Sequence, residues 1–237
     1  MEKRLIHRPN NEARPIVTRL IAVFLVLATA AYAQNYPAAQ EILASAREQV
    51  ARQEVEVQGQ LRENDVLVPF RLSQSGAVIR YSFTNPDEAL QLRLGDADSK
   101  LEHISGNGVD NVSGAELNQK VRGTAVSYED LALKFIYWPN GKVVGEDYIN
   151  TRRVWKLELQ PPARQSQYSR VFLWCEQKSG ALMRMEGFDW NGRPTKRFEV
   201  VSVQNIGGRT FLKQMRIEEL DPSSGKVRSR TYLEIKK

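Results

Sequence analysis

The sequence predicts a mainly β protein with a few helices, its strands running antiparallel. Three observations carry this. Six extended runs follow one another over Val154–Leu159, Tyr168–Gln177, Leu182–Asp189, Thr195–Gln204, Thr210–Leu220 and Lys226–Ile235, with short turn signals between them. A second set of runs between Gln53 and Ser105 alternates apolar and polar residues with period two. Only two stretches show the three-and-four spacing of an amphipathic helix.

The turns of the C-terminal set have a local cause. Pro161-Pro162, Ser179-Gly180, Asn191-Gly192, Gly207-Gly208 and Asp221-Pro222 through Gly225 supply positive φ or fixed φ where the chain must reverse. A parallel crossover needs about a dozen residues, so such short connections join antiparallel neighbours. The result is a meander of six strands.

The chain opens on a polar, basic stretch, Met1–Arg19, then an apolar run of twelve, Leu20–Ala31. That run is too short to span a bilayer, which takes about 20 residues. Ala31-Tyr32-Ala33 has the small-x-small spacing of an export cleavage site. The expectation is a signal peptide over 1–33, cleaved between Ala33 and Gln34, then one exported, periplasmic and soluble domain over 34–237. The formal charge is +6, and residues 1–33 hold five basic and two acidic residues, so the domain itself carries +3. Its basic and acidic residues are interleaved, without the basic stripe that nucleic-acid binding uses.

Next, Ala38–Arg52 places Ile42, Leu43, Ala46 and Val50 on one helical face, with Pro37 at its start. Strand runs follow around Val55–Leu61, Val66–Leu72, Val78–Thr84, Ala89–Leu94 and Lys100–Ser105. They form either a second sheet or the first half of one continuous sheet. Gly106–Gly123, with four glycines, reads as a long irregular loop.

Ser127 is positioned as the N-cap of a second helix, with Glu129 and Asp130 in its first turn and Pro139 at its end. Leu131, Phe135 and Trp138 share one face of it. Two roles stay open: a plug whose aromatics fill core, or a movable lid over a cavity. Asn140-Gly141 reads as a hairpin turn ahead of a strand over Val143–Asn150.

The faces of the meander are not cleanly divided. Phe172 and Trp174 oppose Val171, Leu173 and Cys175, and large apolar residues stand on both sides of several other strands. A half-wet sheet shows one apolar and one polar face. Either something covers parts of both faces, or one face lines an apolar cavity. Met183, Met185 and Met215 suit ordinary core filling or a wall that adapts to lipid.

Catalytic chemistry finds little purchase. Cys175 is the sole cysteine, and His7 and His103 are the only histidines, which leaves no disulfide and no Cys- or His-rich metal site. No nucleophile elbow or dinucleotide fingerprint occurs. The expectation is a protein that is not an enzyme and needs no cofactor.

One resemblance adds to this. Gly123-Thr124 leading to Ser127-Tyr128-Glu129-Asp130-Leu131, the strand Trp155–Leu159 with Pro161 after it, the strand Tyr168–Trp174 and the segment Phe188–Lys196 occur in an order similar to the outer-membrane lipoprotein-sorting protein family, the LolA-like exported proteins. The similarity runs from Ala38 to the C-terminus. It implies a half-open, curved antiparallel β-barrel closed by helices, with a cavity that takes acyl chains. It further implies a cofactor-free, monomeric carrier for lipid or lipid-modified protein that meets donor and acceptor proteins of the cell envelope. The expected lipid-facing residues are Ile79, Tyr81, Phe83, Leu92, Leu131, Phe135, Trp138, Phe172, Met183, Met185, Phe198 and Met215. An envelope module with a filled barrel and no ligand is the alternative.

Overall fold

The computed structural model describes Tyr36–Lys236; the expected signal peptide lies outside the described residues. Helix α1 (Ala39–Ala51) is followed by strands β1 (Glu54–Glu63), β2 (Val66–Ser75), β3 (Val78–Phe83), β4 (Glu88–Leu94), β5 (Ser99–Ser105) and β6 (Gly108–Val112). Helix α2 (Tyr128–Ala132) separates these from β7 (Asn140–Ile149), β8 (Arg152–Gln160), β9 (Arg170–Glu176), β10 (Leu182–Phe188), β11 (Pro194–Ile206), β12 (Arg209–Leu220) and β13 (Val227–Lys236). Three short 3₁₀ turns, Gly114–Asn118, Val121–Gly123 and Lys134–Tyr137, flank α2.

The strands form one sheet of thirteen, which settles the choice left open by the sequence. Its order is β6-β5-β4-β3-β2-β1-β13-β12-β11-β10-β9-β8-β7. Strands adjacent in the sheet are consecutive in sequence with one exception: β13 returns to lie against β1, with Leu61 opposite Leu233 and Gly59 opposite Ile235. This joins the two meanders and leaves β6 and β7 as the free edges, so the sheet does not close into a barrel. The chain between those edges, residues 113–139, carries α2 and the 3₁₀ turns.

Inward-facing side chains fall into registered rows. Ile79, Leu92, Leu101 and Val112 meet across β3 to β6. Leu157, Leu173, Met185, Phe198 and Ile217 do so across β8 to β12. Both rows belong to one hydrophobic cluster that also holds Leu43 of α1 and Ala132, Phe135 and Ile136 of the inserted segment. Rows from distant strands share a core because the sheet curls around these elements.

Helix α1 lies where its apolar stripe predicts, with Ile42, Leu43 and Ala46 buried. Its partners include the inserted segment: Arg47 Nη1 donates to the Ile136 carbonyl at 2.6 Å and Gln40 Nε2 to that of Trp138 at 2.8 Å.

Three local expectations need correction. Gly108–Val112 is an edge strand, β6, although its residues are mostly exposed and carry little β signal. Asn140-Gly141 begins β7, paired with Gln160 and Leu159, while the reversal comes at Asn150 in positive φ. The second helix is not continuous: Leu133, at φ 51°, breaks it into α2 and the turn Lys134–Tyr137.

The mixed outer face of the meander also has a physical account. Phe172, Trp174 and Phe188 point away from the main core and are covered by cations of the same face. Lys156 Nζ lies 4.7 Å from the Phe172 ring centre and 4.9 Å from that of Trp174, and Arg170 sits 4.6 Å over Phe188. Long cationic stems shield aromatic surface while their heads stay in water. Cross-strand ion pairs continue the lattice, including Arg184–Glu199, Arg197–Glu186 and Arg230–Glu218.

Candidate functional site

A half-open cavity of about 210 Å³ lies on the concave face of the sheet. Its floor comes from β3, β4 and β9 to β13, and its cover is residues Val126 to Phe135. Of its lining residues only Tyr81, Asp130 and Arg184 are polar. Drug-sized pockets usually run from about 300 Å³ upward, so this volume suits one slender apolar chain.

Nine of the twelve residues expected to face lipid line this space: Ile79, Tyr81, Leu92, Leu131, Phe135, Met183, Met185, Phe198 and Met215. The other three do not. Phe83 is packed against Phe70 at a ring distance of 6.2 Å, with Arg122 5.1 Å above it. Trp138 lines a different groove, because the break at Leu133 turns it off the Leu131 face. Phe172 stands on the outer face, paired across strands with Glu158 and Glu186. Sequence reasoning missed Leu133, Leu182 and Leu212, which also line the cavity. Strict alternation puts Leu182 on the face opposite Met183 and Leu212 on the face opposite Met215. A bulge at Met183 and irregular pairing near Ser202 reset those faces.

The groove beside Trp138 is larger, about 910 Å³, and runs between Asp98–Leu101, Asn111–Gly114 and the loop Pro161–Ser166. Its walls carry Asp98, Lys134, Glu129 and Ser166. These charged and polar groups alternate with apolar wall from Leu101, Leu117 and Trp138, so the groove is less uniformly apolar than the cavity.

The cover of the cavity is held by a buried polar network. Ser127 caps α2 reciprocally: Asp130 N donates to Ser127 Oγ at 3.2 Å, and Ser127 N donates to Asp130 Oδ2 at 2.8 Å. This is the cap the sequence predicts, with Asp in the place of Glu. Tyr168 Oη donates to Asp130 Oδ1 at 2.6 Å. Lys196 Nζ lies 3.4 Å from Asp130 Oδ2 and donates to the Ala125 carbonyl at 2.5 Å. Ala125 N donates to Glu63 Oε2 at 2.7 Å and Thr231 Oγ1 at 2.9 Å. Strands β1, β11 and β13, and Tyr168 just ahead of β9, thus all grip one short segment.

Glu129 is buried too. Desolvation raises its pKa, against the bonds it accepts from Ser166 Oγ and Gln167 N that favour the charged form. Burial pushes the Cys175 thiol up to about 12, so it is a neutral apolar filler. His103 Nε2 lies 2.9 Å from Glu88, which also pairs with Arg122 Nε at 2.6 Å. Among the described residues no group of three metal-ligating side chains occurs, and no helix is long and apolar enough to cross a membrane.

An open antiparallel sheet curled around helices, with the cover inserted between its free edges, is the LolA-like fold. Three solved structures share it at TM-scores of 0.60 to 0.63. A DUF1329 family protein from Desulfovibrio piger is 19% identical, over 84% of this chain and 90% of that one. A protein domain from Vibrio parahaemolyticus described as outer membrane lipoprotein-sorting is 16% identical, over 84% and 92%. A LolA superfamily protein from Nitrosomonas europaea is 20% identical, over 85% and 93%. No curated protein sequence matches the chain significantly. A family model whose description reads "Uncharacterized protein" matches residues 106–237, more than half of the chain, and the chain belongs to that family.

Proposed function

We propose that this chain is a periplasmic carrier or binding protein for lipid or lipid-modified protein. Residues 1–33 are its export signal, and 34–237 form one binding domain. The observation that carries this reading is the half-open apolar cavity beneath residues Val126 to Phe135, with Met183, Met185 and Met215 in its wall. An acyl chain entering it gains about 0.8 kcal/mol per buried CH₂. Methionine side chains rearrange at low cost to fit contents of varied shape. Binding and release are passive and need no catalytic group, so transfer requires an acceptor that offers a comparable apolar site. The lipoprotein-sorting description of the Vibrio parahaemolyticus domain supports the same reading by fold.

The test is to purify the chain after export and analyse its organic extract by mass spectrometry. Co-purifying acyl lipid, present in stoichiometric amount, is the expected result. A lipid-free protein that also fails to bind fatty-acyl probes would rule the carrier out. The reading then favoured is an envelope interaction module, supported by how much of the concave face α1 and the inserted segment already fill.

A further inference from the structure

We propose that Tyr81 is a ligand-recognition residue, and that the ligand carries an uncharged hydrogen-bond acceptor, such as an ester or amide carbonyl, part-way along its apolar chain. This rests on the cavity being a lipid site. Three polar side chains line the cavity, and two are already committed. Asp130 accepts from Tyr168 and Ser127 and faces Lys196, and Arg184 Nη2 pairs with Glu199 at 3.1 Å. The Tyr81 hydroxyl is the neutral donor of the three and makes no hydrogen bond among the described residues; Arg184 also leaves its Nε unpaired, but its guanidinium is held by Glu199 and lies over the Trp174 ring. Its ring packs edge-on against Phe70 at 5.5 Å, which fixes where the hydroxyl points. Unlike Tyr137 Oη, which is sealed in without a partner, the Tyr81 hydroxyl retains accessible surface, and the space its side chain borders is the cavity.

Tyr81 is half-buried, and its hydroxyl borders an apolar space with no protein acceptor in reach, so a ligand oxygen is the partner the site leaves open. The surroundings choose the chemistry. Burial by itself pushes the Tyr81 phenol up to about 12, so this is a place that disfavours charge. A neutral oxygen is therefore preferred to a carboxylate or phosphate at this depth, and a charged headgroup stays at the mouth. Tyr81 donates its proton to a neutral oxygen while apolar carbons fill the space towards Leu92 and Phe135.

The experiment compares wild type with Tyr81→Phe, both as the exported chain, by displacement of phenylnaphthylamine. The competitors are methyl octanoate, decane and octanoate at neutral pH. Wild type should bind methyl octanoate about three- to tenfold tighter than decane, the size of one neutral hydrogen bond. It should bind octanoate more weakly than the ester. Tyr81→Phe should erase the ester's advantage and leave decane unchanged. Because the hydroxyl has no protein partner, Tyr81→Phe should melt no lower than wild type. A variant that changes both competitors equally, or neither, overturns the role of Tyr81 and leaves the lipid cavity standing. Tighter binding of octanoate than of the ester overturns the uncharged acceptor. If wild type binds neither the fluorophore nor any competitor, the cavity reading fails as well.

Discussion

Lys196 Nζ of β11 lies 3.4 Å from Asp130 Oδ2 of α2, with side-chain exposures of 7% and 1%. The pair ties the cover of the cavity to the sheet beneath it. Removing one member strands the other as a buried charge, which costs about 3–5 kcal/mol. Lys196→Met is expected to fall at the lower end, since Asp130 keeps its bonds from Tyr168 and Ser127. The double variant with Asp130→Asn should recover part of the loss. Urea unfolding checks both, and a loss below about 1 kcal/mol for Lys196→Met would show that the pair is not a structural anchor.

Tyr168 reaches Asp130 only because Gly187 leaves room for its ring. A methyl group at Gly187 would stand 2.4 Å from Tyr168 Cε1. Gly187→Ala should therefore displace the ring and destabilise the fold by about 1–3 kcal/mol. Tyr168→Phe keeps the ring and should cost about 1–3 kcal/mol, because it leaves a buried carboxylate short of one donor. Thermal unfolding of the two variants separates crowding from the lost hydrogen bond: a double variant Gly187→Ala with Tyr168→Ala should regain what crowding alone removed.

Met183→Asp together with Met215→Asp places two carboxylates in the cavity wall. Each disfavours apolar contents, and uptake of acyl probes should drop at least tenfold. Circular dichroism must show an intact sheet. Met215 alone is the cleaner site, being only partly buried against the core, whereas Met183 is 6% exposed and sits in a second small cluster with Trp174. Unchanged probe affinity in a folded double variant would remove these methionines from the site.

Acid should weaken the seam between the two meanders. Glu234 of β13 accepts from Arg62 Nη2 at 2.7 Å, from Gln60 at 2.7 Å and from Gln214 at 3.0 Å. The Arg62 bond leads in holding its carboxyl below the ordinary 4.5. A folded-state pKa below the unfolded one stabilises the fold above the unfolded value. That contribution disappears as pH falls from about 4.5 through the depressed folded pKa. Glu234→Gln should flatten this part of the stability curve, and an acid limb as steep as that of wild type would count against the assignment.

Most of the strands were legible because their turns are local. Gly207-Gly208 and Asn191-Gly192 reverse the chain through their own backbone preferences, whatever surrounds them. The Ser127 cap was legible for the same reason, since its partner Asp130 is three residues away. Strand β6 was not, because an exposed edge strand is held by backbone pairing to β5 and needs no apolar pattern.

Which residues meet inside the molecule was a tertiary outcome. Phe172 and Met185 look alike as apolar residues on alternating strands, yet one lies under Lys156 on the outer face and the other lines the cavity. Residue type records a preference for burial, while the bulge at Met183 and the curl of the sheet select the face. The return of β13 to β1 and the burial of Lys196 beside Asp130 depend on contacts remote in sequence, which no local period encodes. The sequence by itself determined most of the strands and reversals, and the cap. Only the folded chain decided that α1 and residues 113–139 close the curled sheet while leaving an apolar space within it. Alternation measures how much surface must be covered, and three-dimensional packing alone sets whether a side chain or a void covers it.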